Sequence, residues 1–167
     1  MIDAGAALTR LRDGNRRFVA NRTAADPLAT EKRRTELVAG QEPFAIILGC
    51  SDSRVPAELV FDQGFGDLFV IRIAGNIVAP SQIGSVEFAA SRFGTRLVVV
   101  LGHSQCGAVV ATLEELLGRA TTESKNLRSI TGRVRPAVET LLESSRRDDE
   151  QALIREAVLA NVRASVD

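Results

Sequence analysis

Three short apolar runs constrain the fold of this 167-residue chain more than any other feature: Phe44 to Leu48, Leu68 to Ile73 and Leu97 to Leu101. They are continuous rather than alternating and rich in Val and Ile, the pattern of strands buried on both faces. The intervening sequence repeats with a different period. Val86, Ala89, Ala90 and Phe93 keep helical spacing within Ile83 to Phe93, and Gly94 closes that segment. A further helical stretch, Gly107 to Leu117, follows the third run. Strand, helix, strand, helix is the order of a parallel sheet, because parallel neighbours need a crossover between them. The predicted fold class is α/β, a parallel-core β-sheet flanked by helices.

Helices are also predicted on either side of this core. Ala4, Leu8, Leu11 and Phe18 fall close to one stripe between Asp3 and Asn21. Thr30 is placed to cap a helix over Glu31 to Ala39, ended by Gly40. Lys32-Arg33-Arg34, with acidic residues beside it, reads as a solvated helix face rather than a basic patch. Leu127, Ile130, Val134, Val138 and Leu141 keep helical spacing, with a kink or fresh start predicted at Pro136. A last helix is expected over Glu150 to Val162. No repeat, low-complexity tract or linker divides the chain, so residues 1–167 read as one domain. Its parts are an N-terminal helical arm over about 1–40, a core over about 41–120 and C-terminal helices over about 121–167.

Composition removes whole classes of function. The 21 Lys and Arg residues balance 21 Asp and Glu, so no net field draws the chain to nucleic acid or an anionic membrane. No apolar run approaches the roughly 20 residues of a membrane span. The start, Met1-Ile2-Asp3, lacks a secretory pattern, and a cytoplasmic location is expected. The informative residues are the scarce ones: one His, two Cys, no Trp and no Tyr.

In open parallel sheets, functional groups gather beyond the carboxyl ends of the strands. The first apolar run ends in Gly49-Cys50-Ser51-Asp52-Ser53-Arg54, the third in Gly102-His103-Ser104-Gln105-Cys106-Gly107. Both cysteines and the sole histidine therefore fall at corresponding strand ends. Four readings are open. The cysteines could be small buried hydrophobes, a disulfide, or one half of a Cys–His nucleophile that leaves the second thiol without a role. A Cys₂His metal site uses all three. Zinc suits thiolate and imidazole, and three protein ligands leave a position for water or substrate. Asp52 is the candidate fourth ligand, and Arg54 could hold its carboxylate by a bidentate pair, unless the two form an ordinary surface ion pair. Two thiolates cancel the dication, so water there is acidified less than beside three imidazoles. Asp52 then has two exclusive uses: metal ligand in a closed site, or hydrogen-bond acceptor from water in an open one.

At these residues the sequence closely resembles the beta-class carbonic anhydrases. The matching elements are Cys50 to Pro56, Arg72-Ile73-Ala74-Gly75-Asn76, Gly84 to Ala89 and Gly102 to Gly107. Gly14-Asn15-Arg16-Arg17-Phe18 also resembles the family's N-terminal arm. The resemblance implies a zinc lyase, a carbonate dehydratase that reversibly hydrates carbon dioxide to bicarbonate and a proton with one Zn²⁺ per subunit. By position, Cys50, His103 and Cys106 would be the zinc ligands and Asp52 with Arg54 the catalytic pair, Asp52 joining the metal only in a closed site. Gln41, Phe69, Ala74, Phe88 and Gly107 match the substrate pocket, Gln41 from the neighbouring subunit. Taken alone, Phe69 and Phe88 read as core packing and Gln41 as a loop residue. A homo-oligomer, dimer or tetramer, is implied, with the arm crossing onto the partner. Nucleic-acid and membrane partners are not expected.

Ile47 stands where some bacterial members carry a Trp that marks a regulatory bicarbonate pocket, so that regulation is not expected. Relatives usually continue past the last helix into another strand, which this chain is expected to lack. With His103 on the metal, no histidine is left to shuttle protons. Two other functions fit a similar scaffold: hydrolysis of carbon disulfide or carbonyl sulfide, and a catalytically silent zinc-binding or interaction protein.

Overall fold

The computed structural model describes residues 2–23, 30–144 and 149–167. The apolar runs become β1 (Ala45–Gly49), β2 (Leu68–Arg72) and β3 (Val98–Leu101), in the sheet order β2-β1-β3. Phe44 N–H donates to the Asp67 carbonyl at one end of the first pair, and Ile73 N–H to the Gly49 carbonyl at the other. Residue numbers rise together along both strands, which makes them parallel. β1 is buried along its whole length, as its apolar run predicts. The two flanking strands are not: β2 mixes buried, half-buried and exposed positions, and β3 is half-buried apart from Val98, which is 46% exposed. A central strand has a neighbour on either side, and these edge strands have one each.

α3 (Ala57–Val60) follows β1, α4 (Pro80–Phe93) crosses from β2 to β3, and α5 (Gly107–Leu116) leaves β3. The chain opens with α1 (Ala4–Val19), whose cap Asp3 accepts from the Ala6 N–H. In α2 (Glu31–Glu36) the Thr30 side chain accepts from the Arg33 N–H, and a 3₁₀ turn, Leu37–Ala39, carries the helix to Gly40. Lys32 and Arg34 are exposed, as a solvated face requires, while Arg33 Nε donates to the Phe65 carbonyl.

The chain divides into two compact units. The first comprises Met1–Leu48, Ser53–Ile71 and Pro80–Val99. There α1 sits against the segment after α3 through a glycine: a Cβ on Gly14 would stand 1.8 Å from the Phe61 carbonyl oxygen. That close approach lets Asn15 Nδ2 donate to the Val60 carbonyl (3.0 Å) and Arg10 Nε to Gln63 Oε1 (2.9 Å). Arg17 pairs with Asp62, whose side chain is fully buried.

The second unit comprises Gly49–Asp52, Arg72–Ala79 and Val100–Asp167. α5, α6 (Lys125–Ser144) and α7 (Glu150–Ala164) enclose its core, in which Val109, Val134, Val138 and Ala157 are completely buried and both cysteines take part. Each of the three valines contributes roughly 1.5–3 kcal/mol when fully buried. α6 runs through Pro136 as one helix, so the chain makes no fresh start there. The proline removes one backbone hydrogen bond. Val134 and Val138, buried on either side of it, hold the helix across the gap. Among the described residues no strand follows α7, and no helix is long and apolar enough to cross a membrane.

Candidate metal centre

Two strand ends and one helix start assemble the site. Cys50 follows β1, Gly102 and His103 follow β3, and Cys106 is the cap residue of α5. The ligand atoms of Cys50, His103 and Cys106 all lie within 4.8 Å of one another, and both thiols are free. A tetrahedral zinc ion needs its sulfur and nitrogen donors about 3.3–3.8 Å apart, close to this arrangement.

The histidine is oriented for such a role. Its Nδ1 lies 3.0 Å from the Ser104 carbonyl, which can only accept, so Nδ1 carries the proton and Nε2 presents a lone pair. Nε2 is buried and has no hydrogen-bond partner. An orphaned acceptor is costly unless a cation or donor meets it. Asp52 Oδ2 lies 3.8 Å from the same nitrogen, with its side chain 20% exposed. Two acceptors facing each other beside two thiols make a donor set that calls for a cation, and zinc fits it.

The thiols differ in acidity. Cys50 is pulled down to about 4, first by a hydrogen bond from the Cys106 thiol and then by the N–H groups of Asp52 and Gly75, against the opposing effect of burial. Cys106 is pushed far up by the same partner and by burial, only partly offset by N–H groups at the start of α5. The pair thus shares one proton, leaving one thiolate ready for a metal.

Backbone geometry supports both sides. The Gly75 N–H donates to Cys50 Sγ at 3.3 Å from the 3₁₀ turn Ala74–Asn76. Gly75 has φ +71°, and a Cβ there would meet Ala108 Cβ at 2.9 Å, so conformation and space both require glycine. Arg72 Nε donates to the Cys50 carbonyl (2.9 Å) and its Nη2 to the Asp52 carbonyl (2.6 Å), gripping the segment that carries ligand and carboxylate.

The other residues singled out in the sequence lie as follows. Ala74 opens the 3₁₀ turn, half-buried, and Gly107 is the exposed first residue of α5. Arg54 (exposed, in the turn before α3), Gln41, Phe69 and Phe88 belong to the first unit. Gln41 borders a surface cleft with Arg10, Phe44 and Phe93. The rings of Phe69, Phe88 and Phe93 pack together at 5.9–6.3 Å, with Phe88 still 55% exposed. Sequence reasoning gave no role to Arg72, although it stands in a quoted motif, nor to Asn161, for which no local signal exists.

A family model described as carbonic anhydrase matches residues 45–167. The fold is also that of a beta-carbonic anhydrase from the fungus Aspergillus fumigatus, at 25% identity and TM-score 0.69, covering 97% of this chain and 73% of that one. The chain belongs to the beta-carbonic anhydrase family. Curated carbonic anhydrases similar to it include carbonic anhydrase 2 of Mycobacterium tuberculosis, 45% identical over 133 residues, or 80% of this chain and 63% of that protein. The carbonic anhydrase of Mycolicibacterium smegmatis is likewise 45% identical over 133 residues, 80% of this chain and 64% of that protein. The chain thus spans just under two thirds of the length of these relatives. A tetrameric beta-carbonic anhydrase from Sordaria macrospora shares the fold at 22% identity and TM-score 0.71, covering 96% of this chain and 79% of that one.

Proposed function

We propose that the chain catalyses the reversible hydration of carbon dioxide to bicarbonate and a proton, with one Zn²⁺ per subunit held by Cys50, His103 and Cys106. The observation that carries this reading is the convergence of those three donor atoms within 4.8 Å, with His103 Nε2 buried and unpartnered. The 45% identity to mycobacterial carbonic anhydrases supports it. Zinc held there supplies a Lewis acid that makes water nucleophilic near neutral pH.

The chain's own residues do the rest. Cys50 and Cys106 bring two sulfurs whose negative charge balances a dication, and the Ser104 carbonyl keeps the imidazole lone pair on Nε2. Asp52 is proposed to accept a hydrogen from the reacting water, so that the oxygen lone pair faces the substrate carbon. Its nearness to Nε2 supports the alternative use as a fourth ligand in a closed form. Arg54 completes the proposed catalytic pair, drawing the carboxylate away from the metal. Water's oxygen bonds to carbon, bicarbonate leaves, and the released proton passes to solvent or buffer. Gln41, Phe69, Ala74, Phe88 and Gly107 are the proposed substrate pocket. Carbon dioxide carries no charge, which suits a chain whose acidic and basic residues cancel.

The reading extends to assembly and location. Ile83 and Phe88 on α4 and Val98 on β3 leave large apolar side chains exposed, which supports a homo-oligomer, dimer or tetramer. Free thiols serving a metal fit a reducing compartment such as the cytoplasm. Residues 1–167 are proposed as one domain, with the arm over about 1–40 preceding the core.

Stopped-flow hydration of carbon dioxide tests the proposal. The zinc-loaded chain should be active, and zinc removal or Cys106→Ser should lower the rate by about 100-fold or more. Activity that survives both changes would refute the metal mechanism, and an inactive zinc-loaded chain would refute the assigned reaction.

A further inference from the structure

We propose that Asn161, on the last helix, is a positioning residue for the metal centre. The inference rests on the reading that Cys50, His103 and Cys106 hold zinc. Asn161 is 3% exposed, and its Nδ2 donates to the Gly75 carbonyl at 2.8 Å. Gly75 in turn donates its N–H to Cys50 Sγ. A residue 111 positions after the ligand (161 − 50) thus reaches it through a single backbone unit.

The turn it holds needs holding. Gly75 at φ +71° is followed by Asn76 at φ +41°, two successive residues in the left-handed region, the second with a Cβ. Such a conformation persists where its surroundings over-determine it. Asn161 fixes the peptide between the two residues by its carbonyl, and Ser165 Oγ, one turn on, lies 3.3 Å from the Asn76 carbonyl. Without the amide donor, the turn is free to rotate and the Gly75 N–H leaves the sulfur.

The same helix also meets the other ligand-bearing segment. A Cβ on Gly102, the residue before His103, would lie 2.4 Å from Val162 Cγ2, so backbone and helix are in close contact there. At the helix start Gln151 Oε1 accepts from Gln105 Nε2, beside Cys106, at 2.7 Å. Of these contacts, the buried amide of Asn161 is the one in a hydrogen-bonded relay to a ligand atom. It acts as an outer-shell partner of the Cys50 sulfur, and loss of such a partner typically lowers metal affinity 10–100-fold.

The test compares Asn161→Leu, which keeps the bulk and removes the donor, with Leu153→Ala, which removes packing from the same helix. Zinc affinity is measured by competition with a chromophoric chelator, and cobalt(II) loading reports the thiolate-to-metal charge-transfer band. Asn161→Leu is expected to weaken zinc binding about 10–100-fold and to shift the band. Leu153→Ala should lower stability while leaving both readouts at parental values. Parental affinity and an unmoved band in Asn161→Leu would overturn the proposal, as would an equal loss in Leu153→Ala. Should Asn161→Leu not fold, amide exchange in the parent decides: the Gly75 N–H should be strongly protected once zinc is bound, and a freely exchanging one overturns the role. A parent chain that binds neither zinc nor cobalt would refute the metal site itself, a result distinct from failure of the Asn161 role.

Discussion

Replacing Gly14 by Ala sets two opposing effects against each other on α1. In an open helix interior, Ala is better than Gly by about 0.5–1 kcal/mol. At position 14 the new Cβ would stand 1.8 Å from the Phe61 carbonyl oxygen, 2.8 Å from its carbon and 2.9 Å from Gln63 Nε2. A carbon–oxygen contact relaxes only near 3.3 Å, so α1 or the facing backbone must retreat by about 1.5 Å. No side-chain rotation can relieve this, because the obstacle is main chain. Retreat loosens Ala7 and Leu11, each 1% exposed, and stretches the Asn15 and Arg17 contacts. Overpacking of this kind costs about 1–3 kcal/mol, which outweighs the propensity gain. A net loss of about 1–2 kcal/mol should lower the melting temperature by about 2–8 °C. Gly132 on α6, with nothing within 4 Å of its Cβ position, is the control: Gly132→Ala should gain about 0.5–1 kcal/mol. Thermal and urea unfolding of both variants decide the matter. A Gly14→Ala chain as stable as its parent would show that α1 does not sit on the Phe61 backbone.

Three further outcomes are expected. Cys50, at about 4 in the folded chain against its ordinary 9.0, gives the metal-free protein one proton fewer than its unfolded form between those values. Stability of the metal-free chain should therefore fall as pH drops from 9 toward 4, and zinc uptake at neutral pH should release about one thiol proton; flat unfolding midpoints over that range, or release of two, would count against the shared proton. Arg72→Lys keeps the charge but loses the fork across the Cys50 and Asp52 carbonyls, so hydration should slow about tenfold at unchanged zinc content, and an unchanged rate would remove Arg72 from the machinery. On the proposal that the sole histidine serves as a zinc ligand, turnover at saturating substrate should rise with buffer concentration, and indifference to buffer would point to an internal proton path.

Local chemistry was legible in the sequence, and distant contacts were not. The run Phe44 to Leu48 announced a buried strand because every residue in it is apolar, and β1 is buried throughout. Thr30 announced a cap because its hydroxyl needs only the N–H three residues on. Cys50, His103 and Cys106 stood out by scarcity and by their place at strand ends, and those two facts suffice to bring them together in a parallel sheet. Exposure of β3 depends on sheet order, which the run Leu97 to Leu101 does not encode. The continuity of α6 through Pro136 depends on the burial of Val134 and Val138, a tertiary effect that overrides a local rule. Asn161 looks like any polar residue on a helix until its carbonyl partner, 86 positions earlier, is known.

The hydrogen bond from His103 Nδ1 to the Ser104 carbonyl has a practical consequence as well as a chemical one. Because the chain holds a single imidazole, its ring protons give one isolated set of magnetic resonance signals, and all of them come from the centre itself. The Nδ1 proton, sheltered by that carbonyl, should resonate far downfield and shift when zinc is added. The molecule carries its own reporter, placed within the candidate metal centre.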